Sequence, residues 1–534
     1  MKAIKDLIFG FSDAENYKRR ENKMLFDRLF MHNNFLNDIT KSSTTFLIGD
    51  KGTGKTAYAV YMSNNDYMNT LSSLRYIRET EYQKFITLKN EKHLELSDYS
   101  SIWKVIVYLL LSEDIHRKEK KNALFERFTK LHCLHKAINE YYNNAFSPEI
   151  IYALNFIQES KLAAELLSKH TKGYGDQKDT MSFTEKRFQT NLFYIQKKFE
   201  NVLKSLKLDR NYILFIDGID IRPDTVPYNE YINCIKGLAN AVWEVNNDFF
   251  PSIRDSKGRL RVILLIRPDI FASLGLQNQN TKLRDNSVIL NWLTTYREHR
   301  KSDLFAMVDK LLSFNQSKND QLKFGDAWDY YFPYDTPNLK VIFEKPSSFV
   351  GFLRFALYRP RDIITMLLLL QEKHISTSNS QNQVFSFNDF DNSVFKRNYS
   401  NYLLGEVKDQ LSFYYSNAEY EMFLKFFVFL KGKNKFSYKE YLEAYKNLEI
   451  YLNQINMDIP KFMANSSDFL QFLYELNIIC YIERTEANEP FIHWSFKDRT
   501  YSNISPKVKE GQEYEIFYGL AKALNTGQRF KNRL

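Results

Sequence analysis

Residues 44–56 read Thr44-Thr45-Phe46-Leu47-Ile48-Gly49-Asp50-Lys51-Gly52-Thr53-Gly54-Lys55-Thr56. The first five are apolar or β-branched and stop at a glycine, which predicts a short buried strand. The next eight fit the pattern GxxxxGK[ST], whose spacing lays phosphate oxygens against backbone N–H groups. Gly52 and Gly54 allow unusual dihedrals and a close approach of the backbone. A helix is predicted from about residue 55 to 63, and its N-terminal dipole adds to the attraction for an anion. A strand, a glycine loop and a helix in that order open a parallel α/β sheet.

In this loop Gly49, Gly52, Thr53, Gly54, Lys55, Thr56 and Ala57 are the candidate binding residues. Lys55 is placed for the β- and γ-phosphates of ATP, and the Thr56 hydroxyl for Mg²⁺. Such a loop needs a carboxylate on a neighbouring strand. The apolar run 212–216 ends in Asp217-Gly218-Ile219-Asp220. Asp217 is the candidate for the magnesium shell, and Asp220 the candidate to orient or deprotonate an attacking water. A further apolar strand, 261–266, ends in Arg267-Pro268-Asp269, where Arg267 is the candidate γ-phosphate sensor. Tyr358-Arg359-Pro360-Arg361-Asp362 opens an apolar helix, from which Arg361 is the candidate to reach back to nucleotide.

The remaining pattern supplies the organisation. Residues 1–40 read as helical, 84–88 as a second strand, and 100–170 as a helical block closed by the loop 171–179. A long helix is expected at 183–206 and further helices at 300–375, with a polar boundary at 376–383. After 415 come helices at 422–430, 438–445 and 468–476, then strands at 478–482 and 491–496. That order predicts a winged helix. The expected fold is α/β: a P-loop NTPase parallel sheet with a helical insertion, a helical lid and a C-terminal winged-helix domain. The expected divisions are an N-terminal helical segment (1–40), an ATPase core (41–300, insertion about 100–170), a lid (301–400) and a winged-helix domain (401–534).

Composition narrows the class. The 534 residues carry 44% hydrophobic and 26% charged residues, with only 17 Gly and 12 Pro, which excludes collagen, linker arrays and a mostly disordered chain. Cys133, Cys234 and Cys480 are too few and too far apart for a disulfide framework. No apolar run reaches the roughly 18 residues of a membrane span, and the N-terminus does not read as a signal peptide. A cytoplasmic protein without a membrane partner is expected. The net charge of +10 invites nucleic acid, but it is spread thinly, and residues 401–534 sum to zero. Lys431, Lys433 and Lys435 are the concentrated cations there. His132, Cys133 and His135 read as ordinary helix residues rather than a metal site.

On these motifs the sequence resembles bacterial STAND/AAA+ P-loop ATPases of the KAP, NACHT and origin-recognition-like kind. GDKGTGKT matches their nucleotide loop, FIDGID their second motif, IRPD the arginine sensor and RPRDII the lid. More narrowly it resembles a P-loop ATPase family associated with anti-phage defence and DNA repair, to which FGFSDAEN and KDRTYSNISPKVKEG are also similar. The resemblance covers about residues 1–500. One departure is Gly218, where the family has an acidic residue after the magnesium Asp. The resemblance implies an ATP- and Mg²⁺-binding ATPase, whose turnover the Gly218 departure would slow, acting as a switch that forms a homo-oligomer or recruits an effector protein in anti-phage defence. The alternatives are a DNA-dependent ATPase working on nucleic acid through the winged helix, and a nucleotide-binding structural component with little turnover.

Overall fold

The computed structural model describes residues 1–77, 96–120, 193, 196–197, 199–222, 226–316, 322–339, 342–376 and 383–527. The chain forms two compact units: a sheet unit of residues 35–48 and 58–288, and a second unit of residues 1–34, 49–57 and 289–534. The segment 49–57 is thus grouped with residues distant in sequence, not with the strand before it.

The sheet unit is built on β1 (Phe46–Ile48), β2 (Thr70–Tyr76), β3 (Asn211–Asp217), β4 (Leu260–Ile266) and β5 (Ser287–Ile289). Their spatial order is β2-β3-β4-β1-β5. β1 and β3 each pair with β4 in parallel, and β2 pairs with β3 in parallel. β4 is buried at all seven positions and β3 at six, as expected of strands covered on both faces. β1, β3 and β4 coincide with the strands predicted at 44–48, 212–216 and 261–266, and the α/β class with a parallel sheet is what the structure has.

Order and register position the functional ends. The chain leaves β1, skips two places to β2, returns through β3 and β4, then crosses β1 to reach β5. The C-terminal end of β1 therefore lies at a topological switch, where open α/β sheets receive ligands. Ile48 is in register with Ile266, and Ile216 with Leu264, so β1, β3 and β4 end at one edge. Where β1 has not yet begun, Asn246 completes the β4 ladder. Its side chain donates to Val262 O at 2.7 Å and accepts from Val262 N at 2.9 Å. The helices Leu96–Lys120 and Tyr228–Glu244 pack together, and Trp103 Nε1 donates to Cys234 O at 3.2 Å.

The strand expected at 84–88, the part of the 100–170 block beyond residue 120, the loop 171–179 and most of 376–383 lie outside the described residues. Of the helix expected at 183–206, residues 193, 196–197 and 199–205 are described as helix.

The second unit is rich in helices and aromatic contacts. Trp328 stacks on Phe332 with ring centres 4.2 Å apart, and Phe332 stacks on Phe385 at 4.9 Å. Phe349 and Phe352 meet the same indole edge-on. Much of the aromatic content is used this way. The helical segment expected at 1–40 is instead broken into short turns at Ile4–Asp6 and Ala14–Lys18 and helices at Arg20–Leu29 and Asn34–Thr40. The break falls at Gly10, whose φ is +76° and whose missing Cβ leaves room for the Tyr17 hydroxyl.

Toward the C-terminus, helices Asn417–Phe429, Tyr438–Gln454 and Ser466–Glu475 accompany an antiparallel sheet. Its strands are β6 (Lys435–Ser437), β7 (Ile479–Arg484), β8 (Pro490–His493) and β9 (Glu513–Ile516). The order is β6-β9-β7-β8. β7 and β8 form the hairpin read from sequence, but β9 returns between β6 and β7, which the pattern did not announce. Among the described residues no helix is long and apolar enough to cross a membrane.

Candidate functional site

The loop after β1 has a conformation set by its glycines. Gly52 and Gly54 have φ of +87° and +100°, which a side chain would strain. Thr53 closes the turn: its N and Oγ1 both donate to Asp50 O, at 3.2 and 2.8 Å. Lys55 is almost fully buried, and its ammonium donates to Gly49 O at 2.7 Å and Asp50 O at 3.2 Å. The helix Lys55–Asn64 starts there, with Thr56 and Ala57 in its first turn and backbone N–H groups that have no partner within the helix. Trp292 Nε1 donates to Thr53 O at 2.9 Å.

Three arginines grip three consecutive loop residues. Arg359 donates to Lys51 O at 2.9 Å. The backbone N–H of Arg361 donates to Gly52 O at 3.3 Å. Arg499 Nη1 reaches both carboxylate oxygens of Asp50 at 2.6 Å and donates through Nη2 to Glu475 O. Lys51 itself pairs with Asp409, and with Glu406 at 3.7 Å.

The local sequence explains the grip. Pro360 begins the helix Pro360–Ser376, and Asp362 in its first turn is fully buried. Asp362 holds Arg359 through two parallel hydrogen bonds of 2.9 and 2.7 Å and accepts from Leu357 N and Tyr402 OH. Burial is the largest influence and works against the Arg359 charge, but Asp362 together with Tyr402 and Glu406 outweighs it and holds the guanidinium pKa above its ordinary value. Arg361 donates from Nε to Ser12 O at 3.1 Å and pairs with Glu406 at 3.3 Å. The structure thus brings together the loop residues and Arg361, and adds Arg359, Glu406 and Arg499.

In the sheet unit, Asp217 ends β3. It is buried, and its Oδ1 accepts from Gly218 N at 2.8 Å. Gly218 has φ of +87°, and a Cβ there would lie 2.8 Å from Ile77 O. A side chain at position 218 would therefore strain this turn. Asp220 is half-buried on the same turn. The turn is braced from the helix Tyr228–Glu244: Tyr231 OH is 2.9 Å from Ile219 O and 2.8 Å from Ile221 O. Arg267 lies at the end of β4, almost fully buried, and clasps Asp269 through bonds of 3.1 and 2.6 Å. Its guanidinium is engaged within its own turn.

Two stretches that the sequence offered without a physical role now have one. In FGFSDAEN, Phe11 N donates to Tyr17 OH at 2.7 Å, Asp13 caps the next turn through Glu15 N, and Ser12 O receives Arg361. In KDRTYSN, Arg499 takes Asp50, and Tyr501 OH accepts from Ile289 N at 3.3 Å. The three C-terminal cations are each paired: Lys431 with Glu443, Lys433 with Glu440 and Lys435 with Glu513. No family model matches the chain, and no curated protein matches it.

Proposed function

We propose that the chain binds ATP through residues 49–57 and uses it as a switch, with hydrolysis to ADP and phosphate. The observation that carries this reading is the loop itself: two glycines at positive φ and a buried lysine directed into the loop, directly after β1 at the switch of a parallel sheet. Lys55 has one charge and three donors, enough to exchange two carbonyls for phosphate oxygens. The donor proposed for Mg²⁺ on this loop is the Thr56 hydroxyl, and the Asp217 carboxylate at the end of β3 is the second candidate read from the sequence; both are hard oxygens of the kind that ion takes. Bound magnesium would neutralise phosphate charge. Asp220 is the proposed group for positioning water.

The switch part of the reading rests on charge. In and around the loop the charges stand in pairs: Asp50 with Arg499, Lys51 with Glu406 and Asp409, Arg361 with Glu406, and Arg359 with Asp362. A triphosphate adds several negative charges beside them, so the pairs differ in energy between nucleotide states. A homo-oligomer or an effector protein would read that difference. The C-terminal module favours protein over DNA as partner, even read as a winged helix. The helix Ser466–Glu475 holds Asp468 and Glu475 and no Lys or Arg, and residues 483–489 hold three Glu and one Arg. Phosphate contact requires the opposite sign.

The test is equilibrium dialysis of the full chain with MgATP. The wild type should bind, and Lys55→Ala should weaken binding by about 100-fold, the worth of its charge-assisted bonds. Equal binding by both, or none by either, would sink the reading. Light scattering with MgATP and MgADP then tests the switch, which requires different masses.

A further inference from the structure

Asp50 occupies a place in GDKGTGKT that the pattern leaves free, and it puts a carboxylate on a loop built for anions. Alone it would repel phosphate. It is not alone: Arg499 holds both of its oxygens at 2.6 Å, and the Arg499 side chain is only 11% exposed. Arg499 is more than 440 residues away along the chain, directly after the turn Ser495–Asp498 that follows β8. Its other end is tied to Glu475 O, the last residue of the helix Ser466–Glu475. The neighbouring Asp498 accepts from Tyr474 OH at 2.8 Å and lies 3.2 Å from His493 Nδ1, which fixes the turn that presents Arg499.

We propose that Arg499 is a positioning residue that sets the charge of the phosphate loop by neutralising Asp50, so that nucleotide affinity depends on whether the C-terminal segment is seated. The inference rests on the nucleotide reading above and goes beyond it by naming the coupling. With Arg499 in place the pair is neutral and the loop's N–H groups and Lys55 act on phosphate unopposed. With Arg499 withdrawn, an uncompensated carboxylate faces the polyphosphate at short range. Linkage makes the effect reciprocal: bound nucleotide holds the C-terminal segment in place by the same factor. A partner that pulls on residues 495–499 would thereby release nucleotide.

The charge account predicts an order that a packing role does not. MgATP dissociation constants are measured by equilibrium dialysis for the full-length wild type, Arg499→Gln, Asp50→Asn and the double variant. Arg499→Gln leaves one negative charge and should weaken binding about tenfold. Asp50→Asn leaves one positive charge and should tighten it severalfold. The double variant is again neutral and should lie within about twofold of the wild type, with the whole spread narrowing as salt is raised. Arg499→Lys keeps the charge and should lie close to the wild type. If Arg499→Gln does not fold, tightening in Asp50→Asn still decides. A double variant as weak as Arg499→Gln, or an Asp50→Asn that binds no tighter than wild type, overturns the proposal while the nucleotide reading stands. Failure of the wild type to bind overturns both.

Discussion

The turns after β1 and β3, both parallel strands, are held by opposite means. The loop after β1 is gripped by charge and by carbonyl contacts from residues 359, 361 and 499, none of them near it in sequence. The turn after β3 is held by shape and by one neutral hydroxyl: Gly218 fits against the Ile77 backbone, and Tyr231 spans Ile219 and Ile221. The contrast shows where adjustment is possible. An ion-paired loop responds to a new charge. A sterically fixed turn keeps its carboxylate where it is.

The largest expected break is in the arginine grip. Asp362→Ala leaves the buried Arg359 charge without its carboxylate, at a cost of about 3–5 kcal/mol. Thermal unfolding of the full chain should show it as a much lower midpoint. An unchanged midpoint would mean that Arg359 is not held as described. Next comes the shape-held turn. Gly218→Ala forces a Cβ toward Ile77 O at a positive φ and should cost about 1–3 kcal/mol. Denaturant unfolding measures this, and a neutral result would show that the turn relaxes freely. Smallest is Tyr231→Phe, which removes one hydroxyl shared by two carbonyls and should cost about 1 kcal/mol. If it equalled Gly218→Ala, shape would not be the leading restraint.

What could be read from the chain was whatever is contiguous. β3 and β4 are unbroken apolar runs, and the loop carries its own pattern. The S-x-x-E spacing of Ser416 with Glu419 and of Ser437 with Glu440 forms capping boxes at the starts of two helices. β2 escaped because Ser72 and Ser73 interrupt its apolar pattern: Ser72 O receives Lys118 and Ser73 bonds Asp114. β9 escaped because four alternating residues, Glu513–Ile516, signal little until β6 and β7 flank them. The lysines at 431, 433 and 435 resembled a cation patch along the chain, and only folding supplies their glutamates. The Asp50–Arg499 pair was hidden for the same reason. Nothing local says that a carboxylate and a guanidinium so far apart in sequence will meet.

Trp292 gives the loop an optical reporter. Its indole N–H is bonded to the Thr53 carbonyl, and the ring is buried. Indole emission depends on that bond and on the polarity around the ring, so the fluorescence of this one residue follows the backbone of the phosphate loop directly. With the other four tryptophans replaced by phenylalanine, the chain would signal its own loop state in real time without a label.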